Sequence, residues 1–413
     1  MEDRKPEVRL SWKEGQRLTI LEAVRSGVRT QVSAAKALGL TDRWIRTLIH
    51  RLEDRGPGAL AHGNRGRSSA HRIPEATRQK IVGLYREKYE GFNLTHFGEM
   101  LQERERLEPP CREILRRILQ EAGMWERRRD APRHRLRRPR REHEGELLQL
   151  DASIHRWLGE DQPAIALVGA VDDATGDVAD AQFFPAETTE AYLSLMGGIL
   201  RKRGIPQAIY TDRDSVFVVN NAQEVEFLRA QGREPQTQFG RALKELGIEW
   251  IPAYSPQAKG RIERLWGTFQ DRLLNELRLG KIRTRPEANQ YLQKNFLKRY
   301  NRRFGVPAAH SEAVYRPAPS QRTLEGILCW KESRTLARDH TFSWEGKPWQ
   351  VLPSDRVPAL TGRKIEVRRP LRGPLQAWYG CIHLKIRLAP QKRPGFSFAA
   401  AEPAYPVRGR VRL

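Results

Sequence analysis

The sequence predicts a multidomain chain with an all-α N-terminal third, an α/β centre and a small all-β domain near the C-terminus. Its 413 residues exceed what one hydrophobic core normally serves. Apolar residues recur every three or four positions in the first third, and strand-like runs alternate with helical ones from Gly145. Short strand-like runs then dominate residues 335–390. These three patterns define the predicted fold class.

Composition indicates the kind of partner and argues against secreted disulfide-linked proteins, membrane proteins and ATP-driven motors. Lys and Arg number 74 against 50 Asp and Glu, so the net charge of +24 favours a polyanionic partner. The three cysteines have neither disulfide-framework nor zinc spacing, which fits a reducing cytosol. No run of eighteen apolar residues and no phosphate-binding loop of Walker type occur, so we expect neither a membrane partner nor an ATP-driven motor.

Residues 1–56 predict a helix-turn-helix domain. The pattern predicts three short amphipathic helices; Gly39 separates the second from the third, and Thr41 is a plausible N-cap of the third. The third helix carries a set of basic and polar side chains on the faces that its apolar stripe leaves free. They are Arg43, Arg46, Thr47, His50 and Arg51. Such a helix can contact DNA in the major groove, although an ordinary bundle with a solvated basic face explains the same pattern.

A second helical unit follows a linker at residues 57–73. Residues 74–124 contain three further apolar stripes, with Asn93 as a candidate cap of the middle helix. The third helix has basic residues, so this unit is a second candidate helix-turn-helix, and a purely structural bundle is an equally good interpretation.

Residues 125–144 predict an Arg-rich linker. Between 127 and 141 the chain has nine arginines and one acid, a density that no folded core tolerates. We expect this segment to follow a phosphate backbone. The candidate contacts are Arg127, Arg128, Arg129, Arg137 and Arg138.

Residues 145–305 predict an α/β domain with the order β-β-β-α-β-α-β-α. Strands are expected at 147–151, 164–171 and 178–184, and Thr188 opens the first helix. Asp172 and Asp173 are interpreted as turn formers between the second and third strands. This order of elements is that of the ribonuclease H fold.

Three acids in this domain are the candidate catalytic residues. Asp151 ends the first strand, Asp212 ends the strand at 208–211, and Glu263 follows the helix-opening pair at 255–256. Strand ends and a helix could bring these carboxylates together. Hard divalent ions prefer such oxygen ligands, and a pair of ions can stabilise both the attacking and the leaving oxygen on phosphorus.

Three stretches resemble the integrase-core signature of DDE transposases. They are Gln149-Leu150-Asp151, Ile209-Tyr210-Thr211-Asp212 and the run Tyr254-Ser255-Pro256-Gln257-Ala258-Lys259-Gly260-Arg261-Ile262-Glu263-Arg264. The resemblance covers residues 145–305, and the front half is similar to bacterial insertion-sequence transposases, with the ISNCY group as a candidate. It implies that Asp151, Asp212 and Glu263 bind two Mg²⁺ ions, which Mn²⁺ can replace, and carry the catalysis.

Two departures from the family pattern concern the second acid. The chain has Asp212-Arg213-Asp214 where many relatives have Asp-x-Gly, so Asp214 could share the metal. The stretch from Asp212 to Glu263 is also longer than in retroviral integrases, and the excess falls in a polar segment at 220–238.

Lys259 and Arg261 are candidate contacts to the phosphates of the cleaved strand, with a helical ion pair to Glu263 as the alternative. Residues 306–390 predict a small β-barrel, which in this family contacts DNA or bridges protomers, and which can equally be structural. Residues 391–413 predict a flexible basic tail.

The resemblance implies a bacterial, nucleoid-associated transposase of the cytoplasm. Water would cleave double-stranded DNA at the terminal inverted repeats, and the freed 3′-hydroxyl would attack target DNA. Because two ends must be joined, we expect at least a homodimer on DNA. Two alternatives remain: a catalytically inactive sequence-specific regulator, and a ribonuclease H-type nuclease without strand transfer.

Overall fold

The computed structural model of this chain describes residues 10–65, 72–126, 139–232, 234–253, 260–353 and 360–390. The backbone divides into two compact units, Met1–Ile81 and Val82–Leu413. Across these described stretches, no helix is long and apolar enough to cross a membrane.

The first unit contains the predicted helix-turn-helix arrangement. Its helices are α1 (Trp12–Arg25), α2 (Gln31–Leu38) and α3 (Asp42–Arg55), followed by a 3₁₀ turn (Pro57–Leu60) and the start of α4 (Glu75–Leu84). Gly39 adopts a φ of 64°, which lets α2 end in a left-handed turn. The hydroxyl of Thr41 accepts from the backbone N–H of Trp44 at 3.3 Å, so the predicted cap of α3 is confirmed.

The second unit begins with a small helical layer. Helix α4 continues as a π turn (Tyr85–Tyr89), and α5 (Leu94–Glu103) and α6 (Arg112–Glu121) follow. Asn93 caps α5 as predicted, because its side chain accepts from the N–H of His96 at 2.8 Å. In α6, Leu115, Ile118 and Leu119 are buried, whereas Ile114 is 36% exposed.

The central α/β domain has one five-stranded sheet. Its elements, in chain order, are β1 (Leu147–His155), β2 (Ile165–Asp172), β3 (Val178–Phe184), α7 (Thr189–Lys202), β4 (Ala208–Thr211), α8 (Ala222–Ala230), α9 (Gln238–Leu246), β5 (Glu249–Pro252) and α10 (Gly260–Leu279). The strand order is β3-β2-β1-β4-β5, with β1, β2 and β3 antiparallel and β4 and β5 parallel to β1. The predicted order of elements is confirmed, and α8 is an addition inside the polar segment.

Two hydrophobic cores cover the two faces of this sheet. Helices α7 and α9 pack with residues such as Leu150 in one core. Helix α10 packs in the other core with α11 (Arg285–Tyr291), a π turn (Leu292–Phe296) and α12 (Leu297–Phe304). The sequence spaces five apolar residues three or four positions apart along α10, and all are buried: Ile262, Trp266, Phe269, Leu273 and Leu277. The result is a three-layer α/β/α domain.

Amide side chains of the last helices cover the open edge of β3. Asn289 accepts from the N–H of Phe183 at 2.7 Å and donates to its carbonyl at 3.0 Å. Asn301 does the same with Val178, at 2.9 and 3.0 Å. These paired bonds imitate a further strand, so the edge cannot recruit another chain through those groups.

The C-terminal domain consists of α13 (Gln321–Ile327) and two small sheets. Its strands are β6 (Cys329–Thr335), β7 (Thr341–Trp344), β8 (Lys347–Val351), β9 (Lys364–Pro370), β10 (Gln376–Tyr379), β11 (Ile382–Leu384) and β12 (Ile386–Leu388). They form the sheets β11-β10-β9-β6 and β12-β8-β7 around one core. The predicted closed barrel is not confirmed, because within the residues described here no strand ladder joins the two sheets.

This domain is fixed to α9 by polar contacts. The Gln238 side chain exchanges two hydrogen bonds with the Lys331 backbone, at 2.8 and 3.1 Å. The Arg241 guanidinium donates to the carbonyls of Ile327 and Cys329. The C-terminal sheets therefore belong to the same packed unit as the central domain.

Candidate active site

Asp151 lies inside a strand and not at its end. Strand β1 runs on to His155, and Asp151 pairs with Gly169 of β2. The sequence-based strand end at Asp151 is therefore wrong. The reason is that β2 continues to pair with β1 up to His155, whereas the parallel partner β4 stops at Thr211. Asp151 is half-buried, and it lies beyond the point where β4 stops pairing with β1.

Asp212 follows directly after β4 and lies level with Asp151. In the parallel register Gln149 stands opposite Tyr210, so the next residues on the same face are Asp151 and Asp212. Asp212 is half-buried, and its Oδ1 accepts from the N–H of Asp214 at 3.1 Å. The neighbouring strands therefore present two carboxylates at one edge of the sheet.

Glu263 is exposed in the first described turn of α10. Trp266, one turn further along, is buried, and its indole N–H donates to Asp151 Oδ2 at 3.0 Å. Residues three apart on a helix are neighbours on its surface. Helix α10 therefore brings Glu263 to the side of the sheet that carries Asp151.

Glu187 is a fourth acid of this region that the sequence analysis missed. It precedes the cap of α7, and its Oε1 accepts from the Tyr192 hydroxyl at 2.6 Å. Burial raises the pKa of Glu187 above its ordinary value, and the nearby carboxylates of Asp151, Asp214 and Asp212 raise it further. Little in the sequence marks Glu187, since it follows no strand that ends in an acid motif.

The carboxylates of Asp151, Asp212 and Glu263 do not form a ready-made ligand set for a metal ion. In the described part of the chain, one set of three potential metal ligands has atoms within 4.8 Å of one another, and it consists of Glu142, His143 and His310. Asp151, Asp212 and Glu263 are not such a set, so binding a common ion would require their side chains to rotate. Their all-oxygen donor set fits Mg²⁺ or Mn²⁺ better than a soft metal.

The group of Glu142, His143 and His310 is better described as a contact between two chain segments than as a metal site. The His143 and His310 rings stack with centroids 4.7 Å apart and planes 18° apart, so their lone pairs do not point at one centre. His143 Nδ1 lies 3.0 Å from the Glu312 carbonyl, and the N–H of His310 donates to the carbonyl of Glu142 at 3.1 Å. These contacts join the start of the central domain to the segment leading towards α13.

Asp172 and Asp173 form the turn that the sequence predicted. Asp172 is buried and accepts from the N–H groups of Ala174 and Thr175 at 2.9 and 3.0 Å. Asp173 is also buried, and its Oδ1 lies 3.3 Å from Nε of Arg261, whose side chain is 11% exposed. This ion pair competes with the phosphate contact predicted for Arg261 and fastens the start of α10 to the turn.

The candidate DNA-contacting residues of α3 lie on its outer face. The side chains of Arg43, Arg46, His50 and Arg51 are exposed, whereas Thr47 is half-buried and donates to the Arg43 carbonyl at 3.0 Å. Trp44, which the sequence analysis did not select, is 41% exposed. The Arg51 guanidinium lies over its ring, 5.1 Å from the centroid.

Some predicted contacts fall outside the described residues. They are Arg127, Arg128, Arg129, Arg137, Arg138 and Lys259. The same holds for Ser255-Pro256, the expected start of α10, and for the basic tail at 391–413. For these residues the roles expected from the sequence remain predictions.

Among solved structures, similar chains include one from the simian T-cell lymphotropic virus intasome in complex with the PP2A regulatory subunit B56 gamma. It is 15% identical with a TM-score of 0.32, over 76% of this chain and 100% of that chain. The HTLV-2 integrase catalytic core domain in complex with magnesium is 16% identical with a TM-score of 0.25. That match covers 36% of this chain and 85% of the other.

Sequence relatives cover most of the chain. The winged helix-turn helix family matches residues 17–79. The protein y4bF of Sinorhizobium fredii, which carries the name of a transposase, is 36% identical over 90% of this chain and 80% of its own length. The transposase for insertion sequence IS1202 of Streptococcus pneumoniae is 30% identical over 90% of this chain and 84% of its own length. The chain belongs to the family of insertion-sequence transposases.

Proposed function

We propose that Asp151, Asp212 and Glu263 are the catalytic triad of a DDE transposase and hold two divalent cations, Mg²⁺ with Mn²⁺ as a substitute. The observation that carries the proposal is the junction of α10 with β1. The hydrogen bond from Trp266 to Asp151 places the helix of Glu263 against the strand of the first acid. The parallel register places Asp212 level with that acid.

The chemistry proposed is cleavage of DNA at the transposon ends, followed by strand transfer. Water attacks the phosphodiester and the P–O bond to the 3′-oxygen breaks, which frees a 3′-hydroxyl. That hydroxyl then attacks a phosphodiester of the target DNA, and the P–O bond to the target's 3′-oxygen breaks, which leaves a 3′-hydroxyl on the target strand. One phosphodiester replaces another in the joining step, so no covalent protein intermediate is required.

The contribution of the protein's own residues is to hold the proposed catalytic carboxylates in position. Asp151 stands on β1, Asp212 directly follows the neighbouring strand β4, and Glu263 stands on α10, whose apolar face is buried against the sheet. Packing of these elements holds the three backbones in place. When bound, the ions would stabilise the negative charge that develops on the phosphate oxygens. Family membership supports this assignment of the reaction.

DNA recognition is proposed for the exposed basic face of α3, supported by the match to the winged helix-turn helix family. Double-stranded DNA, both transposon ends and target, is the proposed partner, with the Arg-rich segment and Lys259 following the backbone. At least a dimer acting at the bacterial nucleoid is expected, because two ends must be processed together.

Labelled transposon ends incubated with a target plasmid in Mg²⁺ test the proposal. Asp151→Asn, Asp212→Asn and Glu263→Gln should each bind DNA as well as the unchanged protein does and produce neither nicks nor joined products. Glu249→Gln, at an exposed position of β5, is the matched control and should stay active. Retained cleavage removes a residue from the triad. If the unchanged protein binds without cutting, it is a regulator; if it cuts without joining, it is a nuclease.

A further inference from the structure

Trp266 connects two of the acids of the proposed centre. The residue is 6% exposed, and its Nε1–H donates to Asp151 Oδ2 at 3.0 Å. It also follows Glu263 by three positions on α10. A single rigid side chain therefore reaches from the helix of the third acid to the carboxylate of the first.

Gly169 provides the space for this ring. It stands directly opposite Asp151 in the β1–β2 register. A Cβ atom at this position would lie 2.9 Å from Cη2 of Trp266 and 3.3 Å from Cβ of Ala181. Real Cβ contacts are essentially never as short as 2.9 Å, so a side chain at position 169 would displace the indole.

A buried indole needs a hydrogen-bond acceptor, and this need alone could explain the contact. The second buried tryptophan of the same core shows how a purely structural site meets it. Trp157 is 1% exposed and donates to the backbone carbonyl of Ser153 at 3.1 Å. Trp266 instead donates to a carboxylate oxygen of the proposed cation site, where the direction of the bond fixes the orientation of a ligand.

We propose that Trp266 is a positioning residue of the transposase: its indole N–H orients the Asp151 carboxylate and sets the separation of Asp151 from Glu263. The proposal rests on the proposed function, because it requires Asp151 to bind a cation. Gly169 supports the same role, because the absence of a side chain there leaves room for the indole.

Cation binding by the full-length protein tests this role. The unchanged protein, Trp266→Phe and the matched control Trp157→Phe are titrated with MnCl₂ alone by calorimetry, and DNA cleavage is followed against Mg²⁺ concentration. Both variants remove an indole from the same hydrophobic core, so we expect both to lower the melting temperature by similar amounts. Only Trp266→Phe should raise the Kd for Mn²⁺ and the half-saturating Mg²⁺ concentration, by about 10- to 100-fold as for other groups that orient ligands.

Two further variants separate the possible outcomes. Gly169→Ala keeps the indole N–H but forces the ring to move, and it should weaken Mn²⁺ binding in the same direction; it also serves as the test if Trp266→Phe does not fold. If Asp151→Asn loses Mn²⁺ binding while Trp266→Phe or Gly169→Ala titrates like Trp157→Phe, the positioning role is refuted and the proposed function stands. If Asp151→Asn binds Mn²⁺ like the unchanged protein, the proposed function itself fails.

Discussion

Glu276 should be the main anchor between the helical layer and α10. It lies on α10 with 1% exposure, and its Oε1 is 3.0 Å from Nε2 of His96 on α5, which is fully buried. Its other oxygen accepts from the Tyr291 hydroxyl and from the Arg299 guanidinium. We predict that Glu276→Gln loosens α5 from α10 without unfolding the sheet.

The size of the effect follows from the pKa. Burial alone would raise the pKa of Glu276, but the contacts with His96, Arg299 and Tyr291 outweigh it and lower the pKa from 4.5 to about 2. That difference corresponds to about 3 kcal/mol of stability. Because the folded pKa is depressed, this stability is fully present above pH 4.5 and is lost as the pH falls towards 2.

Hydrogen exchange of the α5 amides measures this anchor locally, which suits a chain with more than one unit. At pH 7 the protection factors of α5 should fall by roughly 100-fold in Glu276→Gln, and the gap should shrink to about tenfold near pH 3. Glu103→Gln, exposed on α5, is the control and should exchange like the unchanged protein. Equal protection at pH 7, or a gap that does not narrow with acid, would refute the reasoning.

Three further predictions concern separate sites. Glu187→Gln relieves repulsion among the acids, so in EDTA its melting temperature should be no lower than that of the unchanged protein, while Mn²⁺ should raise its melting temperature by less. The control Glu190→Gln, at an exposed position, should melt like the unchanged protein both in EDTA and in Mn²⁺. A lower melting temperature of Glu187→Gln in EDTA would contradict this. Arg46→Ala should weaken binding to all DNA sequences and reduce the slope of log K against log salt by about one, and an unchanged slope would remove Arg46 from the phosphate contacts. Asn301→Ala leaves the backbone groups of buried Val178 without their partners and should cost about 1–3 kcal/mol in denaturant unfolding; a cost near zero would show that the edge of β3 does not need this cover.

Local features of the fold could be predicted from the sequence. The caps at Thr41 and Asn93 and the turn at Asp172 depend on hydrogen bonds within a few residues. The apolar stripe of α10 is a matter of helical period. The order of elements in the central domain followed from these signals.

Features that depend on strand pairing could not be predicted in the same way. The strand of Asp151 extends to His155 because β2 pairs with it that far, and the C-terminal strands divide into two sheets through pairings between distant segments. The contacts of Trp266 with Asp151, and of Arg261 with Asp173, likewise join residues far apart in the sequence. Motifs in the sequence pointed to the proposed triad, but not to the residues that surround it.

Anomalous diffraction from crystals of the protein with a transposon-end DNA and Mn²⁺ tests the central claim most directly. The account predicts Mn²⁺ peaks bounded by the carboxylates of Asp151, Asp212 and Glu263. Peaks confined to another site, such as Glu142 with His143 and His310, or no peak beside Asp151, would contradict it.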